Sequence, residues 1–358
     1  MKVAIVYDRV NKWGGAERVL LALHEIFPNA PLYTSVYDSK SASWAKVFPR
    51  VYTSFLQKIP FTKGNHEFLA VFMPLAFSLF DFSKYDLVIS VTSESAKGIR
   101  TKGKTKHICY CLTPTRYLWS GYNNYFRGNL FRAISWPVVE LLKIWDRNVA
   151  QKPDKMIAIS TEVQRRIKKY YSRDSQIIFP PVKMLKNNST KEGRKYYLLV
   201  SRLDFGYKKV DLVIETFNKL GLPLVIVGTG REENKLKKMA KENIIFAGYV
   251  NEKRLFEYYK NAKALIMPQE EDFGIVAVEA QSSGVPVIAF KKGGASDTVI
   301  NGKTGILFDR QTVGSLTKAV KVFNRKKFDS KLIIENAKKF RESVFKKQFI
   351  DLAKKMLH

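Results

Sequence analysis

Short apolar runs alternate with longer segments of mixed polarity along most of the chain. The runs rich in β-branched or aromatic residues predict strands, and the amphipathic segments between them predict helices. This alternation is typical of α/β proteins with parallel sheets. In the first half, the predicted strands are 2–7, 32–36, 51–54, 87–91, 107–112, 156–159 and 176–179.

The last of these strands ends at Pro180-Pro181, a pair that cannot continue a strand ladder and therefore indicates a linker. Helices are predicted at 209–220, at 232–241 and from about Thr312 onward. We therefore expect two Rossmann-like, doubly wound domains that face a central cleft, at 1–181 and 182–339, with a helix at about 340–358 packing back on the first. The predicted strands after the linker are 197–200, 224–227, 244–246, 264–267, 285–289 and 305–308.

Composition fits this two-domain interpretation. A length of 358 residues exceeds one ordinary core, and 46% hydrophobic with 26% charged residues is globular. The first ten residues lack the long apolar region of a signal peptide, and the longest apolar stretch, 68–80, is too short to span a bilayer. Cys109 and Cys111 lie two apart on a predicted strand, which does not suit a disulfide. We expect a reduced, cytoplasmic protein without a metal site.

The charge is strongly basic, with 62 Lys and Arg against 32 Asp and Glu and a net charge of +30. Such an excess attracts polyanions, including nucleic acid, anionic lipid surfaces and phosphorylated small molecules. The alternative is that the excess of Lys and Arg reflects an organism whose proteins are generally basic and has no functional meaning. No helix-turn-helix, RNA-recognition or zinc pattern accompanies the charge, so we expect no nucleic-acid partner.

Several loops that follow predicted strands carry candidate ligand-binding residues. Gly14 and Gly15, after the first strand, would let backbone N–H groups approach an anion at a helix start, although these glycines taken alone favour a simple tight turn. Arg202 and Lys208 would suit a pyrophosphate, with solvated surface cations as the alternative. Gly228 follows the next strand and again lets the backbone come close to a ligand.

The stretch EEDFGIVAVEA places Glu271 in a loop and Glu279 inside the helix predicted at 275–282. Carboxylates accept hydrogen bonds from vicinal hydroxyls, and N–H groups at a helix start suit phosphate oxygens. The pattern therefore predicts a nucleotide-sugar site. The alternative is that the acidic residues 270–272 only favour the helix dipole.

These motifs, in this order, resemble the family-4 retaining glycosyltransferases of the GT-B fold over nearly the whole chain. The residues that carry the resemblance are Gly14-Gly15-Ala16-Glu17, Ser201-Arg202-Leu203, Lys208, Gly228, Glu271, Glu279, 284–287, Gly293-Gly294 and 302–307.

The resemblance implies that domain 1–181 binds the acceptor and domain 182–339 the nucleotide-sugar donor, and it implies a role for each matching position. Arg202 and Lys208 would hold the donor pyrophosphate and stabilise the leaving nucleoside diphosphate, although their spacing is one residue longer than usual. Glu279 would bind the ribose and Glu271 the transferred sugar. The remaining donor-binding positions are Gly14 and Gly15, Gly228, and the backbone of Phe273, Gly274 and Ile275. The resemblance implies no cofactor and no metal, with a departing phosphate that takes the acceptor proton.

The segment around Thr113-Pro114, with Arg116-Tyr117 and Trp119, resembles bacterial O-antigen and polysaccharide mannosyltransferases. It implies Leu112, Thr113 and Arg116 as positions facing the acceptor or the sugar. Leu112 stands where that subgroup has a histidine that faces the sugar, and Ser120 where it often has an acidic residue. Leucine neither donates nor accepts a hydrogen bond. The departures bear on donor identity and on whether the chain is catalytic.

The leading hypothesis is a metal-independent retaining hexosyltransferase, with GDP-mannose as the first donor candidate and a UDP-sugar as the alternative. Its acceptor would be lipid-linked or a polysaccharide, in cell-envelope glycan synthesis. A catalytically silent sugar-nucleotide binder or scaffold is the competing hypothesis. The basic segment 97–106 and the apolar stretch 68–80, with Phe55, Ile59 and Phe61, would suit peripheral binding to the inner face of the plasma membrane. A solvated loop and a core helix are the alternatives.

Overall fold

The computed structural model describes residues 1–59, 70–122, 129–184, 194–204 and 206–357, and within 129–134 the backbone alone. The chain forms two compact units. The first domain comprises Met1–Pro181 with Phe345–His358, and the second domain comprises Val182–Val344. Phe61, Phe68 and Leu69 of the predicted apolar surface lie outside the described residues.

The first domain is built on a seven-stranded sheet with the order β3-β2-β1-β4-β5-β6-β7, and all its strand pairs are parallel. Every residue of β1 is buried, as expected where helices cover both faces of a parallel sheet. The strands are β1 (Val3–Tyr7), β2 (Leu32–Thr34), β3 (Val51–Thr53), β4 (Leu87–Thr92), β5 (Lys106–Cys111), β6 (Lys155–Ala158) and β7 (Gln176–Ile177).

The second domain repeats the design with six parallel strands in the order β10-β9-β8-β11-β12-β13. Alternate residues of one strand enter different cores: Leu199 packs on one face and Leu198 on the other. The prediction of two Rossmann-like domains is confirmed. The strands are β8 (Tyr196–Val200), β9 (Leu224–Val227), β10 (Ile244–Gly248), β11 (Ala262–Met267), β12 (Val287–Phe290) and β13 (Gly305–Phe308).

Helices fill the connections between strands, and several begin at side-chain caps. The hydroxyl of Ser160 accepts from the N–H of Val163, and the Asn251 side chain does the same for Arg254. The helices are α1 (Gly15–Ile26), α2 (Met73–Ser78), α3 (Asn129–Val149), α4 (Thr161–Tyr171), α5 (Val210–Leu220), α6 (Glu233–Met239), α7 (Glu252–Asn261), α8 (Ile275–Ser282), α9 (Ala295–Thr298), α10 (Val313–Asn324), α11 (Ser330–Lys338) and α12 (Glu342–Leu357).

The last helix, α12, ends against the first sheet. Tyr110 on β5 lies with its ring centroid 5.8 Å from that of Phe345 and 6.0 Å from that of Phe349. Both phenylalanines are buried, so this part of α12 completes the core of the first domain. No helix within the described ranges is long and apolar enough to cross a bilayer.

Candidate active site

Each sheet has a point where its strand order reverses, and ligands of doubly wound sheets bind beside that point at the carboxyl ends of the strands. In the second sheet the reversal lies between β8 and β11. Arg202 follows β8, and Glu271 lies in the loop after β11. The topology therefore brings together two loops that the sequence analysis had selected separately.

Lys208 and Glu271 form an ion pair between these loops, with 2.5 Å between Nζ and Oε1. Gln269 donates to the same carboxylate oxygen at 3.0 Å. The two charged side chains are 12% and 22% exposed, so the pair is accessible from solvent while much of its surface is covered. Arg202 is exposed. The arrangement places two cations and one carboxylate at the reversal point.

The loop that carries Glu271 is held by glycines at which two backbones meet. The N–H of Gly294 donates to the carbonyl of Glu271 at 2.8 Å. A Cβ on Gly293 would lie 2.2 Å from that carbonyl oxygen, and one on Gly294 would lie 2.3 Å from Phe273. Gly274 adopts φ of +86° and precedes α8, a conformation that side chains rarely adopt. Gly293-Gly294 thus has a structural reason, which is to fix the loop that presents Glu271.

Glu279 is buried in the second turn of α8, with 3% of its surface exposed. The phenol of Tyr259, fully buried on α7, donates to its Oε2 at 2.8 Å. Sequence reasoning missed Tyr259, because only the packing of α7 beside α8 brings it to Glu279. Ile275 begins α8, and N–H groups in a first helical turn lack partners within the helix. A carboxylate held in a fixed rotamer near such N–H groups suits a polar ligand that carries both hydroxyls and phosphate.

Gly228 has a purely structural explanation in this chain. Its φ is +132°, and a Cβ there would lie 1.9 Å from the carbonyl oxygen of Ser201. Its N–H donates to the carbonyl of Gly248 at 2.9 Å. The close approach of neighbouring strands therefore demands glycine at this position.

In the first domain, Gly14 and Gly15 lie where β1 leads into α1. Gly14 precedes the helix in extended conformation, and a Cβ on it would lie 3.1 Å from Oε2 of Glu17. Glu17 is buried and accepts a hydrogen bond from the hydroxyl of Tyr7 at 2.9 Å. A side chain at position 14 would therefore crowd the Glu17 carboxylate, which gives Gly14 a local structural reason.

The reversal point of the first sheet lies between β1 and β4, and an ion pair that sequence analysis missed lies there. A guanidinium nitrogen of Arg9 donates to Oε1 of Glu94, and each side chain is 14% exposed. Burial raises the pKa of Glu94 above its usual range, although the Arg9 charge lowers it. The two residues are 85 positions apart, so only the strand order reveals the pair.

The loop that carries Glu94 is anchored by the buried carboxylate of Asp8. Asp8 is 2% exposed and accepts hydrogen bonds from the hydroxyl of Thr92 and from a run of backbone N–H groups. Those groups belong to Ser93, Glu94, Ser95 and Ala96. A carboxylate with this many donors fixes the loop conformation.

The predicted sugar-facing segment follows β5. Leu112 is partly exposed, and its N–H donates to the carbonyl of Thr92 at 2.8 Å. Thr113 is buried, and its hydroxyl lies 3.5 Å from a guanidinium nitrogen of Arg166. Arg116 is partly exposed. Leu112 and Arg116 can therefore reach a ligand at the edge of the sheet, whereas Thr113 lies within the core.

A buried charge network supports the same segment. Asp146 on α3 accepts from the hydroxyl of Thr115 at 3.0 Å, the indole of Trp119 at 2.7 Å and the phenol of Tyr171 at 2.8 Å. The ammonium of Lys97 lies 2.6 Å from Oδ1 of Asp146, and the two side chains are 1% and 0% exposed. Burial lowers the pKa of Lys97, but the Asp146 charge more than offsets this and raises it. The expectation that Lys97 belongs to a solvated or lipid-facing segment is therefore wrong, because its charge is neutralised inside the domain.

Both cysteines are buried, and neither forms a disulfide. Burial raises the pKa of Cys109 to about 11, which keeps its thiol protonated. Among the described residues, no group of three or more His, Cys, Asp or Glu side chains is arranged to hold a metal ion.

Residues 183–340 match the family of glycosyl transferases group 1. An uncharacterized 41.2 kDa protein in the cps region of Klebsiella pneumoniae is 29% identical over 191 residues, which cover 51% of this chain and 52% of that protein. A GDP-mannose-dependent phosphatidylinositol monomannoside mannosyltransferase of Mycolicibacterium smegmatis is 36% identical over 110 residues, covering 27% and 29%. The chain thus spans about half of the first relative and less than a third of the second.

Solved structures extend the likeness to the whole chain. The lipopolysaccharide galactosyltransferase WaaB superposes with a TM-score of 0.71 at 18% identity, covering 98% of both chains. The HepE protein of Anabaena, in complex with UDP-glucose, gives 0.69 at 16% identity, covering 99% of this chain and 100% of that one. The family match is thus confined to the second domain, whereas the solved structures match both Rossmann-like domains and show that the chain has the GT-B fold.

Proposed function

We propose that this chain is a retaining, metal-independent hexosyltransferase that uses a nucleoside diphosphate sugar, with GDP-mannose as the first donor candidate. Its acceptor is a lipid-linked sugar or polysaccharide of the cell envelope, and it works at the inner face of the plasma membrane. The observation that carries the proposal is the ion pair between Lys208 and Glu271 at the reversal point of the second sheet, where Arg202 also follows β8.

The charges of this cluster suit the chemistry of glycosyl transfer. Departure of a nucleoside diphosphate develops negative charge on the leaving phosphate. Arg202 and Lys208 would stabilise that charge, since preorganised cations lower the barrier where charge develops. Glu271 would then exchange its contact with Lys208 for a sugar hydroxyl. In this proposal the two cations do the work that a divalent metal does in other transferases.

Glu279 supplies the second donor contact. Its carboxylate is buried and oriented by Tyr259, so little conformational freedom is lost when it accepts from the ribose hydroxyls. GDP-sugars and UDP-sugars both carry a ribose, so this contact suits either donor and leaves the base open.

Two similarities favour different bases. The mycobacterial relative is described as GDP-mannose-dependent, and the HepE structure contains UDP-glucose. Leu112 weakens the mannose assignment, because leucine offers no hydrogen bond to a sugar hydroxyl. A UDP-sugar is therefore the second donor candidate.

Thermal melting with GDP and with UDP tests the donor assignment directly. A ligand that binds the native state raises the melting temperature by mass action, so the preferred diphosphate gives the larger rise. If the donor is GDP-mannose, GDP should raise the melting temperature more than UDP does. A larger rise with UDP would overturn the assignment of GDP-mannose. Glu279→Ala should lose most of the rise. Glu257→Ala, at an exposed glutamate on α7, is the control and should keep it.

Turnover separates the enzyme from a silent sugar-nucleotide binder, which Leu112 leaves as the second candidate function. Release of diphosphate from a panel of GDP- and UDP-sugars, with membrane lipid extract as acceptor, should depend on both donor and acceptor. Product NMR at the anomeric carbon reports retention. Nucleotide binding without turnover of any donor would instead identify a binder or scaffold.

A further inference from the structure

Helix α2 of the first domain is apolar on its outward face as well as on its inward face. Met73, Ala76 and Phe77 pack in the core of the domain. The residues on the other side recur at spacings of three and four and therefore share a face. Each of them is more than half exposed: Val71, Phe72, Leu75 and Leu79.

Helix α3 has the same property on a larger scale. Its inward side carries the buried Val139, Asp146 and Val149. Its outward side carries large apolar side chains where a surface helix normally has polar ones. These are Trp136, Val138, Leu141 and Ile144, of which Leu141 is the most exposed at 68%.

Both helices pack against the short 3₁₀ helix Ala96–Gly98. A Cβ on Gly98 would lie 2.6 Å from the ring of Trp145 on α3, so α3 lies directly on this glycine. On the α2 side, Ala96 shares the core cluster that contains Phe77. We define the α2–α3 surface as Leu75 and Leu79 with Leu141 and Ile144, together with the exposed residues beside them.

Exposed cations lie next to this surface. The chain leaves the 3₁₀ helix into a loop in which Arg100, Lys102 and Lys104 are all exposed. Lys97, within the 3₁₀ helix, points inward to Asp146 and does not contribute. Apolar side chains flanked by cations are the pattern by which a peripheral protein sits at an anionic bilayer surface.

We propose that the α2–α3 surface docks on an anionic lipid bilayer, with its apolar side chains at the boundary between headgroups and acyl chains and the 100–104 cations on the headgroups. Large apolar side chains exposed together on two helices mark an interaction site. A second copy of the chain fits less well, since each copy carries a net charge of +30 and two such charges repel. A bilayer with anionic headgroups matches both features.

This inference deepens the membrane association within the proposed function by naming the surface and the lipid charge. Its test is co-sedimentation of the full chain with vesicles of phosphatidylglycerol and phosphatidylcholine. Leu75→Ser with Leu141→Ser should weaken partitioning by about tenfold or more, because apolar area is lost from the interface. The matched control is Ile245→Ser with Leu332→Ser, at exposed apolar residues of the second domain, and should change partitioning by less than about twofold.

The charge contribution has its own variant. Arg100→Gln with Lys102→Gln and Lys104→Gln should weaken binding to anionic vesicles at low salt, and added salt should reduce the difference. Binding of wild type should also shift tryptophan fluorescence to the blue. Trp136→Phe should remove most of that shift while vesicle binding persists.

Three outcomes overturn the inference. They are no vesicle binding by wild type, equal binding by the double serine variant, and a wild-type dimer in light scattering that the double serine variant dissociates. The last outcome would identify a second copy as the occupant. Thermal shifts with nucleoside diphosphates are measured separately. A chain that binds vesicles but no nucleotide would refute the proposed function and leave this surface intact.

Discussion

The reversal point of each sheet carries an ion pair between two loops, but the loops are held in place by different contacts. Arg9 with Glu94 spans β1 and β4, and Lys208 with Glu271 spans β8 and β11. Around the first pair, buried carboxylates do the anchoring: Asp8 holds the Glu94 loop, and Asp146 holds the segment after β5. Around the second pair, close backbone contacts at Gly293 and Gly294 anchor the loop that carries Glu271.

The difference indicates different functions for the two sheet edges, by which we mean the carboxyl ends of the strands at each reversal point. A loop held by a buried carboxylate with many donors is rigid, because each lost donor costs free energy. The glycine contacts act on the backbone of the second loop, and the Glu271 carboxylate stays 22% exposed in its ion pair with Lys208, where a ligand can reach it. We therefore interpret the second edge as the donor site and the first as a fixed platform for the acceptor.

The largest expected effect tests whether buried charge holds the first edge. Lys97→Met leaves Asp146 buried without its cation and should lower the unfolding free energy of the first domain by about 3–5 kcal/mol. Denaturant unfolding followed by tryptophan fluorescence measures this domain alone, since all 5 tryptophans, Trp13, Trp44, Trp119, Trp136 and Trp145, lie in it.

The control for this variant is Lys143→Met, which breaks a partly exposed pair with Glu140 on α3. Its cost should stay below about 1 kcal/mol. Equal losses in the two variants would show that the buried pair contributes nothing beyond a surface pair, and the platform interpretation would fail.

The second prediction concerns the donor edge. Lys208→Ala removes a cation from the developing phosphate charge and should lower kcat by about 100-fold to 1000-fold. Steady-state turnover with the preferred donor measures it, and Lys235→Ala, at an exposed lysine of α6, should be near wild type. A Lys208→Ala enzyme with normal kcat would remove Lys208 from the site.

The sequence predicted the strands well because a strand buried on both faces needs a continuous apolar run, as 197–200 and 224–227 show. It also selected Glu271 and Glu279, which lie within one loop and helix. It missed Glu94, because its partner is set by strand order across 85 residues. It misplaced Lys97, since nothing near that lysine reveals the carboxylate of Asp146, 49 positions away on another helix (146 minus 97). Residues close together in sequence could be selected from the sequence, whereas contacts between residues distant in sequence could not.

The third prediction tests whether the first edge binds the acceptor and not the donor. Glu94→Gln keeps shape but removes charge, and should raise the acceptor KM by about tenfold while thermal shifts with nucleoside diphosphates stay unchanged. The acid limb of wild-type kcat/KM for acceptor should reflect the raised pKa of Glu94, with activity rising as that carboxyl deprotonates. The variant should lose this limb.

Glu140→Gln on α3 is the control for charge loss elsewhere in the first domain. Weaker nucleotide binding by Glu94→Gln, with an unchanged acceptor KM, would place the donor at the first edge and reverse the comparison.

The smallest effect is expected from the buried hydrogen bond between Tyr259 and Glu279 at the donor edge. Tyr259→Phe deletes one buried hydrogen bond to Glu279 and should weaken nucleoside diphosphate binding by about 1 kcal/mol, or about fivefold, with kcat nearly unchanged. Titration calorimetry with the diphosphate and with the matching nucleoside measures it. Both ligands should lose the same factor, because Glu279 is assigned to the ribose that they share. Tyr258→Phe, at the neighbouring position, is the control. A loss seen with the diphosphate alone would move Glu279 from the ribose to the phosphate end of the donor.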